Sequence, residues 1–186
     1  MLTKHSVQNI LQLGPLGSKT TYIPPRNELL ELAAEGLAIR AALDDWYIDF
    51  QKYIAEFEGI SQSTESVLAM AYFYGISIYL SGIFDYHTTQ FDDILTPAIS
   101  QTAIQDHVSM VLMTTTVGLE TTSLSPVLFF FPLRVAGSRA MSANQRELIL
   151  GLLEQVSRRS FPVAEAFIED LKAWWEWKYL QSLKEM

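Results

Sequence analysis

Apolar positions along this chain recur at helical spacing almost throughout, and no run alternates cleanly in the two-residue period of a strand. Across 26–57, Leu29, Leu32, Leu37, Leu43, Trp46, Phe50, Tyr53 and Phe57 fall mostly three, four or seven apart. Asp44, Asp45 and Asp49 lie off that stripe, so the segment predicts a long amphipathic helix, ended by Gly59 and a turn over 61–66. Residues 67–84 then run 18 positions without a charge, while carrying three tyrosines, two serines and two glycines. That mixture suits a helix buried in protein better than one facing lipid.

A third helix is expected over about 99–123. Ile104, Val108, Val111, Leu112, Met113, Val117 and Leu119 cover most of its angles, which predicts a position at the centre of a bundle. Pro126 opens a fourth helix and Pro132 falls inside it, where a kink or break is expected. Ser142 and Gln145 form a capping-box pattern ahead of the stripe Ile149, Leu152, Leu153 and Val156. The last helix, about 163–183, is striped by Val163, Phe167, Leu171 and Trp174. A short helix at 3–13 and a loop over 14–25 complete the reading. The expected fold is an all-α, single-domain orthogonal bundle of six or seven helices over 1–186, with one central buried helix and with 1–25 as an N-terminal arm and loop.

Composition narrows the function. Hydrophobic residues make up 49% of the 186 positions, enough for a real core. The net charge of −8 gives no general attraction to nucleic-acid phosphates or anionic lipid, so neither DNA nor membrane is expected as a partner. With no cysteine, thiol nucleophiles, disulfides and thiolate metal sites drop out. His5, His87 and His107 are far apart, so neither a metal nor a cofactor is expected. The N-terminus lacks an apolar signal-type stretch, and an intracellular location is expected.

Five features carry candidate chemistry. Arg134 lies among Phe130, Phe131 and Val135; it either pairs with Glu120 of the central helix or anchors a ligand carboxylate or enolate. Tyr72, Tyr79 and Tyr86 recur every seven residues, with Gly75 and Gly82 three further on. That stripe reads as close helix crossing or as the wall of a cavity for a polyketide-like or terpenoid-like molecule. His107 is the first choice for acid–base work if a pocket encloses it, and Asp85, Tyr86 and His87 are a second cluster whose plainer reading is a helix end. The threonine-rich 114–122, with Thr114 and Met110 as ligand-binding candidates, either lines a cavity or satisfies its own hydroxyls. In WWEW (174–177), Trp174 and Trp177 are expected to share the core face, leaving Trp175 for a homodimer contact.

The segment FFFPLRVAGSRA (129–140) and its continuation QRELILGLLEQVSRRSFPVAEAFIEDLKAWWEW (145–177) resemble a known family. From about 103 to 177 the chain is similar to the C-terminal part of the helical fungal-specific transcription factor domain of binuclear zinc-cluster regulators. The family tends to Arg-Gly-Phe where this chain has Arg159, Ser160 and Phe161, and weaker similarity reaches back to 29–46 and 71–80. Those regulators hold their DNA-reading module on six cysteines, and this chain has none. The resemblance therefore implies a regulatory, ligand-binding helical domain without DNA binding, whose partner is a small apolar molecule or a protein. The alternative is a cofactor-independent isomerase, cyclase or dehydratase of fungal secondary metabolism, with His107, Tyr79 and Arg134 as its working groups.

Overall fold

The computed structural model describes residues 24–184, apart from 58, 87, 160 and 162. The helix expected at 3–13, most of the loop at 14–25 and His87 lie outside the described residues. Among those described there are six α-helices and no strand: α1 (Arg26–Glu56), α2 (Thr64–Asp85), α3 (Gln101–Thr121), α4 (Phe130–Arg139), α5 (Ala143–Arg158) and α6 (Val163–Lys184). The fold is an all-α bundle.

Local chemistry sets the helix ends. Gly59, at φ 84°, supplies the left-handed turn after α1. Ser63 and Ser100 cap α2 and α3, each accepting a backbone N–H three residues on at 3.2 Å. This cap starts α2 three residues before its uncharged run. The capping box of α5 forms in full: Ser142 Oγ accepts from the Gln145 N–H at 3.1 Å, and Gln145 Oε1 accepts from the Ser142 N–H at 3.1 Å.

The two prolines resolve differently from the expected fourth helix, opened by Pro126 and kinked or broken at Pro132. Pro126 opens a short 3₁₀ turn (Pro126–Phe129), and α4 begins afresh at Phe130. Pro132 is thus the third residue of α4, inside the first turn, where an N–H has no partner within the helix and its absence costs nothing.

α2 and α3 pack on each other and both pack on α4, while α6 closes the bundle over α4 and α5. The main core joins Ile78 of α2, Val108 and Leu119 of α3, Leu133 of α4, Leu153 of α5 and Leu171 of α6, with Phe129 between α3 and α4. A smaller cluster of Leu29, Ala33, Leu80, Phe84 and Phe91 seats α1. Arg40 stitches the two regions. Its guanidinium donates to Ser77 Oγ at 2.6 Å, to the Ser77 carbonyl at 2.9 Å and to the Pro97 carbonyl at 3.2 Å.

Two expectations about faces need correction. α3 touches α2, α4 and α5 as a central helix should, but it is not covered all round: Met113 and Val117 point outward and Glu120 is exposed. The apolar stripe of α1 is covered over only part of its length. Leu29, Ala33 and Gly36 are buried, whereas Trp46, Tyr53 and Phe57 are exposed, because α1 leans chiefly on α2. Among the described residues α2 alone is long and apolar enough to cross a membrane, and 56% of that apolar window is buried inside the bundle.

Candidate functional site

A groove of about 390 Å³ opens between the C-terminal half of α2, the outer face of α4 and Trp174 of α6. Such a volume is within the range of small-molecule sites. α2 supplies Ile78, Tyr79, Gly82 and Ile83, with Tyr86 just past its end; α4 supplies Arg134, Val135, Ser138 and Arg139.

Two glycines seven residues apart shape it in different ways. At Gly75 an added Cβ would stand 3.3 Å from Pro132 Cα, so Gly75 lets α4 cross α2 closely. Phe131, next to that crossing, fills the space between Tyr72 (ring centres 5.7 Å apart) and Tyr79 (6.0 Å). The groove therefore begins at Tyr79 and excludes Tyr72. At Gly82 the nearest atoms to an added Cβ belong to the Tyr86 ring, 3.3 Å away. The missing side chain there lets the Tyr86 ring lie close against α2.

The far end is built around Arg139. Its guanidinium donates to both carboxylate oxygens of Asp85, lies 4.7 Å from the centre of the Tyr86 ring, and is only 8% exposed. The Trp174 indole meets Tyr86 edge-on at 6.3 Å and donates from Nε1 to the Ser138 carbonyl at 3.1 Å. Arg134, nearer the mouth, pairs with Asp170 of α6 at 2.5 Å, and both side chains stay partly in water. The expected Glu120–Arg134 pair is not formed, because Glu120 is on the solvated side of α3.

The sequence-derived site residues divide into two places. Tyr79, Tyr86 and Arg134 come together in the groove. His107 does not join them: it sits on α3 among Tyr74 (ring centres 5.1 Å apart) and Phe73 (6.0 Å), on the side where α1 packs. Its Nδ1 is buried without a hydrogen-bond partner. Burial, then the positive charge of Arg40, push its pKa below the usual value, with Asp106 and Asp44 pulling weakly the other way. Met110 packs half-buried on the main core, and Thr114 Oγ1 donates back to the Met110 carbonyl at 2.8 Å. Thr116, Thr121 and Thr122 do the same one turn back, so these hydroxyls satisfy themselves, whereas the fully buried Thr115 Oγ1 has no partner among the described residues.

WWEW is corrected as well. Trp175 is buried and donates from Nε1 to the Gly137 carbonyl at 2.8 Å; Trp177 is the exposed ring, stacked on Trp174 at 5.1 Å. Trp175 is therefore a core residue with no free face to offer a second copy.

Sequence reasoning passed over Arg139 and Ser138 and gave Trp174 to the core. A signal for Arg139 was present: Asp85 ends a long uncharged run, and a carboxylate at the edge of that much apolar surface needs a cation.

No family model, curated protein or solved structure matches this chain. The resemblance over 103–177 thus rests on the residues that carry it.

Proposed function

We propose that this chain is a helical ligand-binding module that takes a small apolar molecule into the groove between α2, α4 and Trp174. In keeping with the regulatory reading of its sequence, it acts by binding rather than by chemistry. The observation that carries this is the groove itself: about 390 Å³ of mostly apolar wall bearing a few convergent polar groups. The catalytic alternative requires His107, Tyr79 and Arg134 in one enclosure, and His107 faces a different side of α2. Among the described residues the groove lining holds no carboxylate and no histidine.

A neutral apolar dye, N-phenyl-1-naphthylamine, tests the reading. It should bind wild-type protein and quench Trp174. Gly82→Leu should weaken it tenfold or more, because the added side chain occupies the groove and displaces the Tyr86 ring, while circular dichroism should show the helical fold retained. No binding to wild type, or equal binding to both proteins, would overturn the reading.

A further inference from the structure

The charged side chains that line this groove are both cationic, each paired with a carboxylate that stands outside the lining. The chain carries a net −8, yet the charged residues that line the groove are Arg134 and Arg139. A third cation, Lys178, stands with Nζ 5.6 Å from the centre of the Trp174 ring. An apolar slot edged by cations on an acidic protein is complementary to a molecule with a flat greasy body and one negative end.

The two arginines are not equally free to meet that end. Arg139 is buried, and Asp85 holds it through both guanidinium nitrogens that face the carboxylate. Taking Asp85 away would strand a buried charge, so this pair is architecture. Arg134 is different. Its side chain is 33% exposed and that of Asp170 is 57% exposed, with Arg134 Nη2 2.5 Å from Asp170 Oδ2. Exposed pairs of this kind are held weakly and are screened by salt. A ligand carboxylate arriving along the groove can engage the guanidinium through two parallel hydrogen bonds, and Asp170 loses little by turning to water.

Building on the groove reading above, we propose that the ligand is an anionic amphiphile. Its planar apolar body lies against Tyr79, Tyr86 and Trp174, and its acidic head sits on Arg134 in exchange for Asp170. The head is a carboxylate or an equivalently acidic oxygen group. Arg139 lends positive potential from the floor without giving up Asp85. In this arrangement Asp170 is a built-in competitor: it occupies the anion site when the groove is empty and sets the threshold that a ligand must exceed.

The probes are two dyes that share one skeleton. 8-Anilino-1-naphthalenesulfonate carries an anionic head, and N-phenyl-1-naphthylamine is its neutral counterpart. On the full chain at low salt, the anionic dye should bind about tenfold or more tightly than the neutral one, with the gap closing at high salt. Arg134→Gln should cut the ratio of anionic-dye to neutral-dye affinity tenfold or more. Asp170→Asn should strengthen the anionic dye several-fold, without effect on the neutral one, and this variant keeps the test intact if Arg134→Gln fails to fold. Neutral-dye binding with no advantage for the anionic dye, or an anionic dye indifferent to Asp170→Asn, overturns the anion-exchange proposal while leaving the groove reading standing. Anionic-dye fluorescence that survives Gly82→Leu comes from elsewhere on the protein and also overturns it. Failure of both dyes to bind removes the groove reading and this inference together.

Discussion

Arg139 and Asp85 are locked face to face, with guanidinium Nη1 2.9 Å from carboxylate Oδ1 and Nη2 on Oδ2, although 54 residues separate them in the chain. The pair ties the end of α2 to the end of α4 and sets the floor of the groove. Both side chains are largely out of water, at 8% and 21% exposure. Removing one partner leaves the other as an uncompensated charge. Asp85→Ala is expected to cost about 3–5 kcal/mol in urea unfolding. Asp85→Leu combined with Arg139→Met should be much less harmful than either change alone. A double variant as unstable as the sum of the singles would mean that the two residues act independently.

Gly118 gives a second test, from packing alone. It faces the ring of Phe129, which is fully buried between α3 and α4, and a Cβ built on Gly118 would collide with that ring. Within a helix, alanine normally improves on glycine by about 1 kcal/mol. Here the sign should reverse. Gly118→Ala should destabilise by about 1–3 kcal/mol, because neither the helix backbone nor a buried phenyl ring can yield cheaply. Gly151, near which an added Cβ meets nothing, is the internal control: Gly151→Ala should stabilise by up to about 1 kcal/mol.

These two sites mark where the sequence stopped being readable. The helices of the bundle follow from apolar spacing and from caps that are local, such as Ser142 with Gln145, and both signals sit within a few residues of one another. Contacts between segments are a different matter. Asp170 as the partner of Arg134, and Asp85 as the partner of Arg139, depend on which faces of α2, α4 and α6 converge, and spacing along one helix says nothing about that. Glu120 went wrong for the same reason: apolar residues on most angles of α3 hid the fact that one side of it is wet.

The misread tryptophans show how a small residue conceals a stripe. Val163, Phe167, Leu171 and Trp174 look like the core face of α6, but the buried set is Ala164, Ile168, Leu171 and Trp175. The two stripes share Leu171 and lie side by side on the helix; alanine at 164 made the true one look weaker. Tyr79 and Tyr86 were placed together correctly, since their spacing of seven survives folding. Tyr72 has the same spacing and is cut off only by Phe131, a residue of another helix.

The Trp175 correction carries its own prediction. Trp175→Ala should cost about 3–5 kcal/mol, the loss expected when a buried aromatic is truncated and its indole N–H no longer meets the Gly137 carbonyl. Trp177→Ala removes an exposed ring and should cost less than about 1 kcal/mol. Chemical denaturation monitored by circular dichroism at 222 nm reads both without relying on the fluorescence being altered. A near-neutral Trp175→Ala would return that ring to the surface.

His107 couples stability to pH, and the sign follows from its surroundings. Burial among Tyr74 and Phe73 and the nearby Arg40 of α1 disfavour its imidazolium, while Asp44 of α1 and its neighbour Asp106 only partly offset them. The folded-state pKa therefore lies below the 6.5 of an unperturbed histidine. As pH falls through 6.5, the unfolded chain takes up this proton before the folded chain does, so stability present above that pH is progressively lost until the folded-state pKa is passed. His107→Phe keeps an aromatic ring beside Tyr74 and removes both the titration and the unpartnered Nδ1. His5 and His87 are common to both proteins, so their contributions cancel in the difference. Urea midpoints measured between pH 7.5 and 5 should fall more steeply for wild type than for His107→Phe, with the two curves separating below about pH 6.5, the free-histidine value. Parallel curves would mean that His107 accepts its proton as readily in the bundle as in water, and that Arg40 and the aromatic shell around it exert no hold on its charge.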